Sequence, residues 1–328
     1  MSNQQHQQAP TALPSGIWAP TQVFFHPPPT ADLDLPTTAA HAVRLARAGC
    51  VGIVTNGSNG EAAHLAPAER AAVTRATRDA LDAAGFAHVP VMSGASDHSV
   101  RGTLALIEDA RAAGAAAALV LCASFFQWAM KDGRAVEGFF RGVAEGSVLP
   151  VVIYNYPAAV GGLDLDSDML IRLAGCERIV GTKFTCGNVG KLARVARMVG
   201  KERGEYKCFS GVADAITPAL ALGGHGGIVG AANVFPRACV NVYRLAVEGK
   251  LEEANAAQQQ LAAADWALTK RAIPGFKSIL DRYHGYGGLP RLPVLPISAL
   301  EEEKLFAEIQ EMVAVEEALE DFGRPSEA

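Results

Sequence analysis

The sequence contains no uninterrupted apolar run of the ~18 residues that a membrane-spanning helix requires. Positive charge is also limited, because 29 Lys and Arg residues stand against 34 Asp and Glu residues and give a formal net charge of −5 at pH 7. The sequence therefore offers no basic stripe for nucleic acid and no polybasic surface for anionic lipid. We expect neither a nucleic-acid partner nor a membrane partner.

Cysteine is scarce as well, with six scattered residues and no CxxC pair. In a chain of 328 residues this pattern argues against a disulfide scaffold and a zinc site, so we predict no metal ion and a reducing compartment. Residues 1–14 are rich in Gln and contain no Lys or Arg, unlike a secretory signal or a transit peptide. We predict that they form a disordered tail, and the cytoplasm is the expected compartment.

The chain does contain a regular alternation of short β-branched apolar runs with helical patterns. Eight runs are predicted as strands, and their starts lie about 20 to 39 residues apart, the length of one strand-plus-helix unit. Eight such units make a (β/α)8 barrel, so we predict an α/β fold with a TIM barrel over residues 15–249. The predicted strands are residues 17–23, 51–55, 89–92, 118–122, 150–154, 179–183, 206–210 and 227–229.

Helical patterns continue beyond the eighth unit, over residues 251–271, 275–283 and 297–318. No linker separates them from the barrel. We therefore assign residues 250–322 to additional C-terminal helices packed on the barrel and residues 323–328 to a tail.

The stretch 179–185, Ile-Val-Gly-Thr-Lys-Phe-Thr, is predicted to be a buried strand that runs into a turn, with Lys183 at its carboxyl end. Burial disfavours the ammonium form and lowers the pKa of a lysine from about 10.4. The neutral amine is a nucleophile that can form a Schiff base with a ketone. The alternative is a lysine that extends to solvent or pairs with a carboxylate.

In an α/β barrel the reactive side chains lie at the carboxyl ends of the strands. The loop at residues 56–61, Asn-Gly-Ser-Asn-Gly-Glu, offers backbone N–H groups together with Ser58 and Asn59 to a carboxylate, or it is a plain turn. Tyr154 ends the fifth strand and can shuttle protons there, or it is a core aromatic. Tyr154 and Lys183 end adjacent strands, so both are expected at the same mouth.

Glycines cluster around the last predicted strands, at Gly211 and in residues 223–228, Gly-Gly-His-Gly-Gly-Ile. The cluster indicates either backbone placed close to a ligand or only the tight turn that enters the last strand. His225 in this cluster is either a catalytic base or, more commonly for such a residue, a structural histidine.

Four motifs, taken together, resemble the dihydrodipicolinate synthase and N-acetylneuraminate lyase family, whose members are class I pyruvate-dependent aldolases on a (β/α)8 barrel. They lie in the family's order at residues 57–61, 154–157, 181–183 and 223–228. The Ser-Asn form of the first motif, with residues 273–277 and 286–288, is most similar to the 4-hydroxy-2-oxoglutarate aldolase branch and the related fungal 3-deoxy-hexulosonate aldolases.

The resemblance implies a role for each candidate residue. Lys183 would form the imine with the keto carbon, Tyr154 would deliver and remove protons, and Ser58 would link Tyr154 to bulk water. Four further residues would bind substrate: Asn59 the carboxylate, Thr185 a hydroxyl of the second substrate, and Gly211 and Ile228 through their backbone.

Two positions depart from the family pattern. Where the family has a tyrosine pair that serves a neighbouring subunit's proton relay, this chain has Phe125 and Phe126. Where the synthase branch has an arginine for the semialdehyde carboxylate, residues 158–160 are Ala-Ala-Val. The hydrogen bond from that arginine to the semialdehyde carboxylate, a charge-assisted bond of roughly 1.5 to 3 kcal/mol, is therefore missing.

We therefore predict a lyase that cleaves a 4-hydroxy-2-keto acid to pyruvate and an aldehyde through a Lys183 imine, without a cofactor. The substrate is 4-hydroxy-2-oxoglutarate or a 2-keto-3-deoxy sugar acid, which leaves glyoxylate or glyceraldehyde as the aldehyde. Two alternatives remain: a dihydrodipicolinate synthase that condenses pyruvate with aspartate semialdehyde, and a non-catalytic keto-acid sensor. The resemblance also implies a homo-oligomer, either a dimer or a tetramer.

Overall fold

Eight parallel strands close into a barrel in the computed structural model, which describes residues 13–326. The strands follow chain order around the barrel, and β1 completes the circle against β8, with Trp18 opposite Ile228. The prediction of a (β/α)8 barrel is confirmed. The strands are β1 (Gly16–Pro20), β2 (Gly52–Thr55), β3 (Val91–Gly94), β4 (Ala117–Leu121), β5 (Val151–Asn155), β6 (Ile179–Phe184), β7 (Lys207–Ser210) and β8 (Gly226–Ile228).

The first strand is shorter than predicted. After Pro20 the chain leaves the sheet, and the N–H of Gln22 donates to the side-chain oxygen of Asn233 at 2.9 Å instead of pairing with a strand. Residues 21–23 therefore belong to the loop at the carboxyl end of β1, close to the mouth of the barrel.

Helices cover the outside of the barrel, and polar side chains begin several of them. The hydroxyl of Ser99 accepts a hydrogen bond from the N–H of Gly102, and Asp166 accepts one from Met169, which satisfies N–H groups that have no partner within a helix. The helices are α1 (Leu35–Arg47), α2 (Pro67–Ala83), α3 (Val100–Ala112), α4 (Gln127–Met130), α5 (Gly133–Gly146), α6 (Ser167–Leu173), α7 (Val189–Glu202), α8 (Ile216–Ala221), α9 (Pro236–Val247), α10 (Leu251–His284) and α11 (Ala299–Ala318).

Large side chains fill the interior of the barrel. Trp18 and Phe209 meet edge to face with ring centroids 6.1 Å apart, and both are fully buried. Gly52 makes room for them, since a Cβ there would lie 2.2 Å from the Trp18 ring. Each such burial stabilises the fold by roughly 1.5 to 3 kcal/mol, so the lower barrel is a packed core and the open space lies above it.

The C-terminal helices pack on the outside of the barrel, where α10 contacts α9 and α11. Helix α10 is interrupted at Ala272, whose backbone has φ 49° and ψ −146°, two residues before Pro274. Proline has no N–H to donate and its ring clashes with the preceding turn, which explains why the sequence indicated two helices here. Among residues 13–326, no helix has both the length and the apolar character needed to cross a bilayer.

Parts of both predicted tails contact the barrel. Leu13 is buried, and Pro14 accepts a hydrogen bond from the Trp18 indole at 3.1 Å, although residues 1–14 were predicted as disordered. The prediction for residues 1–12 lies outside the described residues. At the other end, Gly323 donates to Arg47 at 2.8 Å and Ser326 donates to the carbonyl of Gly85, so residues 323–326 are not a free tail.

Candidate active site

A β-bulge precedes Lys183 in β6. Ile179 and Gly181 lie opposite consecutive residues of β5, which leaves Val180 between them without a partner. The absence of a side chain at Gly181 allows the close approach of β7, because a Cβ there would lie 2.6 Å from the carbonyl oxygen of Lys207.

The bulge decides which way Lys183 points. Val180 packs inside the barrel, so strict alternation would direct residue 182 inward and residue 183 outward. Instead the Thr182 hydroxyl bonds to the Tyr206 hydroxyl on the outer side at 2.6 Å, and Lys183 Nζ lies inside, 4.1 Å from the centroid of the Tyr154 ring. Bulges often re-aim side chains in this way near functional sites.

Lys183 is buried, with 3% of its surface exposed. No carboxylate in residues 13–326 lies within ion-pair distance of its amine. Burial without a compensating charge lowers the pKa of Lys183 to about 7, so close to half of the amine is neutral near neutral pH. The alternative of a lysine that extends to solvent or pairs with a carboxylate does not fit this environment.

Tyr154 stands directly beside the amine. Its hydroxyl lies 3.4 Å from the Ser58 hydroxyl, and its ring stacks on Tyr156 with centroids 5.5 Å apart. Burial raises the pKa of Tyr154, and the nearby hydroxyls of Ser58 and Thr185 oppose that rise. The phenol is therefore protonated at rest, and Ser58, which is exposed and lines the cavity, lies between the phenol and the open space.

The loop at residues 56–61 is a tight structure and not a loose turn. Asn56 and Glu61 both have left-handed backbone, with φ 55° and φ 49°. A Cβ at Gly60 would lie 3.0 Å from the carbonyl oxygen of Thr21, so the loop packs closely on the end of β1. Non-glycine residues are strained at positive φ, which is common where a loop is held for function.

The four predicted substrate-binding residues lie in different surroundings. Asn59 accepts a hydrogen bond from the Gln22 side chain at 3.5 Å, and Gly211 packs against Thr185. The Thr185 hydroxyl is buried near the Tyr154 phenol, but it makes no hydrogen bond of normal geometry within residues 13–326. Ile228 is fully buried in the barrel interior. Their roles toward substrate stay predictions.

A cavity of about 480 Å³ opens over Tyr154 and Ser58. The loops after β2, β3, β4 and β5 form its walls, and Ile273 and Val294 from the C-terminal region contribute to it. Lys183 does not line this cavity directly but lies behind the Tyr154 ring. A substrate in the cavity would thus meet the phenol first, and the amine lies behind the phenol ring.

Residues 223–225 of the glycine cluster lie at the opposite end of the barrel, and residues 226–228 form β8. His225 precedes β8, and its Nδ1 accepts a hydrogen bond from the N–H of Cys208 at 3.2 Å. Of the two interpretations left open by the sequence, the structure supports the turn that enters the last strand and a structural histidine. The imidazole cannot act as a base at the amine of Lys183.

The two departures from the family pattern lie at the rim of the cavity. Phe125 and Phe126 are exposed by 72% and 57%, and together with Trp128 they form an aromatic patch, residues 125–128. On the β5 side, Ala159 and Val160 line the cavity where an arginine would serve a second carboxylate.

Sequence reasoning missed three features of the site. The bulge at Val180 left no trace in the apolar pattern, and Asp97 and His98 in the cavity wall lie in a short polar turn of ordinary composition. Glu61 was seen only as the end of the glycine loop, although it forms a buried ion pair with Lys277. The apolar residues next to Lys277 in the sequence were the one available signal: they indicated that Lys277 is buried, but not which residue it pairs with.

Groups of three or more His, Cys, Asp or Glu side chains with metal-binding geometry do not occur within residues 13–326. The site that the geometry does provide contains an amine, a phenol and a hydroxyl.

The chain is similar to several known proteins. A sequence profile described as the dihydrodipicolinate synthetase family matches residues 28–312. An L-threo-3-deoxy-hexylosonate aldolase of Hypocrea jecorina is 49% identical over 95% of this chain and 100% of its own length. A probable mitochondrial 4-hydroxy-2-oxoglutarate aldolase of Emericella nidulans is 42% identical over 94% of this chain and 98% of its own. The crystal structure of Escherichia coli K12 YagE in complex with pyruvate superposes with a TM-score of 0.83 at 27% identity, covering 91% of this chain and 98% of YagE.

Proposed function

The chain belongs to the dihydrodipicolinate synthetase family, and on that premise we propose that it is a class I aldolase, a carbon–carbon lyase that cleaves a 4-hydroxy-2-keto acid through an imine on Lys183. The observation that carries the proposal is a buried amine without a carboxylate partner, 4.1 Å from the centre of the Tyr154 ring. The names of the Hypocrea and Emericella relatives, both aldolases of 2-keto acids, support the reaction class.

The proposed reaction begins when the neutral Lys183 amine adds to the keto carbon and water leaves, and one proton taken up from Tyr154 or water gives a protonated imine. Loss of the proton from the 4-hydroxyl then breaks the C3–C4 bond, and its electron pair moves into the imine to give an enamine and a free aldehyde. A proton returned to C3 and hydrolysis of the imine release pyruvate and restore the amine. The reaction requires no cofactor.

Tyr154 is the proposed donor and acceptor of these protons, with Ser58 as the link to water. The phenol lies beside the amine, and the Ser58 hydroxyl at 3.4 Å reaches the cavity. The N–H groups of the loop at residues 57–60 and the Asn59 side chain would bind the keto-acid carboxylate. The unpaired Thr185 hydroxyl would gain a partner in a substrate hydroxyl, which removes the cost of leaving it unsatisfied.

We propose that the released aldehyde is uncharged, as glyceraldehyde is. Arg70 is the arginine that lines the cavity, but its guanidinium nitrogens already bond to the carbonyl oxygens of Ala62, Leu65 and Ser96 at 2.7 to 3.5 Å. Among residues 13–326, no Lys or Arg lines the Ala159 side of the cavity, so glyoxylate or aspartate semialdehyde would find no such cation there. This arrangement favours 2-keto-3-deoxy sugar acids and disfavours the synthase reaction.

The aromatic patch at residues 125–128 supports a further part of the proposal, a homo-oligomer in which a second copy of the chain covers it. Trp128 is 78% exposed, and the patch adjoins the rim of the cavity through contact of Phe125 with His98. Light scattering on the purified protein and on a Phe126→Ser, Trp128→Ser double variant would test this. A wild-type monomer would contradict it.

We also propose that the protein lies in a reducing compartment, the cytoplasm. The six cysteines are free, as expected in a reducing compartment such as the cytoplasm. The Emericella relative is named as mitochondrial, so fractionation of cells that make the full chain decides between the two compartments.

Two experiments test the central proposal. Borohydride reduction in the presence of pyruvate should add one reduced pyruvyl group to the peptide that contains Lys183, and an unmodified Lys183 would refute the imine. Release of pyruvate from a panel of 2-keto-3-deoxy sugar acids and 4-hydroxy-2-oxoglutarate would identify the substrate. Turnover of any of them excludes the sensor alternative, whereas imine formation without turnover supports it.

A further inference from the structure

A fully buried ion pair lies beneath the loop that carries Ser58 and Asn59. Lys277 Nζ on α10 lies 2.6 Å from Glu61 Oε1, and neither side chain has any exposed surface. The other carboxylate oxygen of Glu61 accepts a hydrogen bond from the N–H of Arg291 at 2.9 Å and lies 2.9 Å from Nδ1 of His64. The carboxylate is thus held from three directions.

These contacts fasten the C-terminal region to the mouth of the barrel. Lys277 also donates to the carbonyl oxygen of Leu289 at 3.1 Å. Arg291 forms a two-pronged ion pair with Glu69 at 2.6 and 2.9 Å and stacks on Phe25. The link between α10 and α11 therefore has several fixed points on the loops after β1 and β2.

Glu61 connects these contacts to the loop at residues 57–60. Its N–H donates to the carbonyl oxygen of Ser58 at 3.1 Å, which closes the turn that presents Ser58 and Asn59. Its own backbone has φ 49°, a conformation that non-glycine residues adopt only when their surroundings impose it. The ion pair with Lys277 is one of the three contacts that hold this strained residue in place, and it is the one that joins it to α10.

Stability alone does not explain the pair. Two charges that are buried lose the free energy of their hydration, and their mutual attraction recovers little more than that loss. A buried ion pair therefore seldom stabilises a protein more than apolar side chains of the same volume. Such a pair does fix geometry, because each charge has one favourable partner and one favourable position. A fixed geometry is what a set of converging N–H donors requires.

We propose that Glu61 and Lys277 are positioning residues: their ion pair holds the loop at residues 57–60 in the arrangement that binds the keto-acid carboxylate. Helix α10, on the outside of the barrel, thereby controls the affinity of the site for 2-keto acids. This inference rests on the proposed function, because it takes that loop as the carboxylate site.

The test uses the full-length variants Glu61→Gln, Lys277→Met and the double variant. The readout is the pyruvate concentration that gives half-maximal borohydride trapping on Lys183. We expect it to rise tenfold or more, with little change in the amount trapped at saturation. Pyruvamide, which has a neutral amide in place of the carboxylate, should show a much smaller change.

Glu316→Gln is the matched control. Glu316 is also buried and accepts hydrogen bonds from the Arg237 and Ala238 N–H groups, but it lies on α11 and packs against α9, away from the cavity. It should lower the melting temperature and leave half-maximal trapping unchanged. If the ion-pair variants fail to fold, Glu61→Asp keeps the charge, shortens the side chain and should show the same selective loss for pyruvate.

The possible outcomes distinguish failure of the positioning role from failure of the aldolase proposal. Wild-type affinity for pyruvate in folded Glu61 and Lys277 variants, or equal losses for pyruvate and pyruvamide, overturns the positioning role and leaves the aldolase proposal standing. Absence of trapping in the wild-type protein overturns the aldolase proposal and this inference with it.

Discussion

Replacement of Lys183 by methionine should make the protein more stable, by an amount that depends on pH. The amine is buried beside Tyr154 without a carboxylate, and burial lowers its pKa from 10.5 to about 7. A group whose pKa is lower in the folded state than in the unfolded state opposes folding wherever the unfolded chain binds the extra proton. Methionine has a similar length and no charge, so it removes this penalty with little loss of packing.

The sign and the size follow from the two pKa values. Below pH 7 the amine is protonated in both states, and its burial costs the full difference, about 5 kcal/mol at ~1.4 kcal/mol per tenfold change. Between pH 7 and 10.5 the folded amine is neutral, so the cost falls to roughly 3 kcal/mol at pH 8 and roughly 2 kcal/mol at pH 9. It vanishes near pH 10.5.

Thermal unfolding of wild-type protein and the Lys183→Met variant from pH 6 to pH 10 measures this difference. For a chain of this length ~1 kcal/mol corresponds to about 1.5 °C, so we expect the variant to melt about 7 °C higher at pH 6 and about 3 °C higher at pH 9. Lys201→Met, at an exposed position on α7, is the control and should show no such trend. If the gain in melting temperature of Lys183→Met over wild type is no larger at pH 6 than at pH 10, a buried amine of lowered pKa is refuted.

The remaining predictions concern activity. Tyr154→Phe should lower pyruvate release by roughly 10²- to 10⁴-fold while borohydride trapping on Lys183 persists, because the proton donor is lost and the nucleophile is kept; loss of both would assign Tyr154 a structural role. The rate of imine formation should rise with pH to a plateau, with a midpoint near 7, in stopped-flow trapping with pyruvate, since neutral amine accumulates there. Gly181→Ala should abolish trapping or folding, because a Cβ would lie 2.6 Å from the Lys207 carbonyl; an active, stable variant would show that the bulge tolerates a side chain.

The barrel could be predicted from the sequence because each strand-plus-helix unit shows its own spacing of apolar residues and its own residues that end the strand or helix. It also brought Lys183 and Tyr154 together, since residues that end neighbouring strands of a barrel share one mouth. It did not reveal the bulge at Val180, because the spacing of apolar residues around an unpaired position differs too little from regular alternation. The ion pair between Glu61 and Lys277 could not be predicted for another reason. The two residues are far apart in the sequence, and a local residue pattern does not show which distant residues pair in the fold.

Three lysines are buried in residues 13–326, and a comparison of them explains why one is the candidate nucleophile. Lys191 pairs with Asp164, and Lys277 pairs with Glu61, so each ammonium ion keeps a partner after losing water. Burial lowers the pKa of Lys277, and the Glu61 charge opposes this shift without cancelling it. Lys183 alone among the three has no compensating carboxylate, and its pKa falls to about 7.

The same barrel thus uses burial in two opposite ways. A buried lysine with a carboxylate partner is held in an ion pair and fixes the geometry around it. A buried lysine without one becomes an amine that can attack. Because the two kinds lie on different elements, Lys183 on β6 and Lys277 on α10, the fold can lower the pKa of its nucleophile while a separate ion pair holds the loop that would present the substrate.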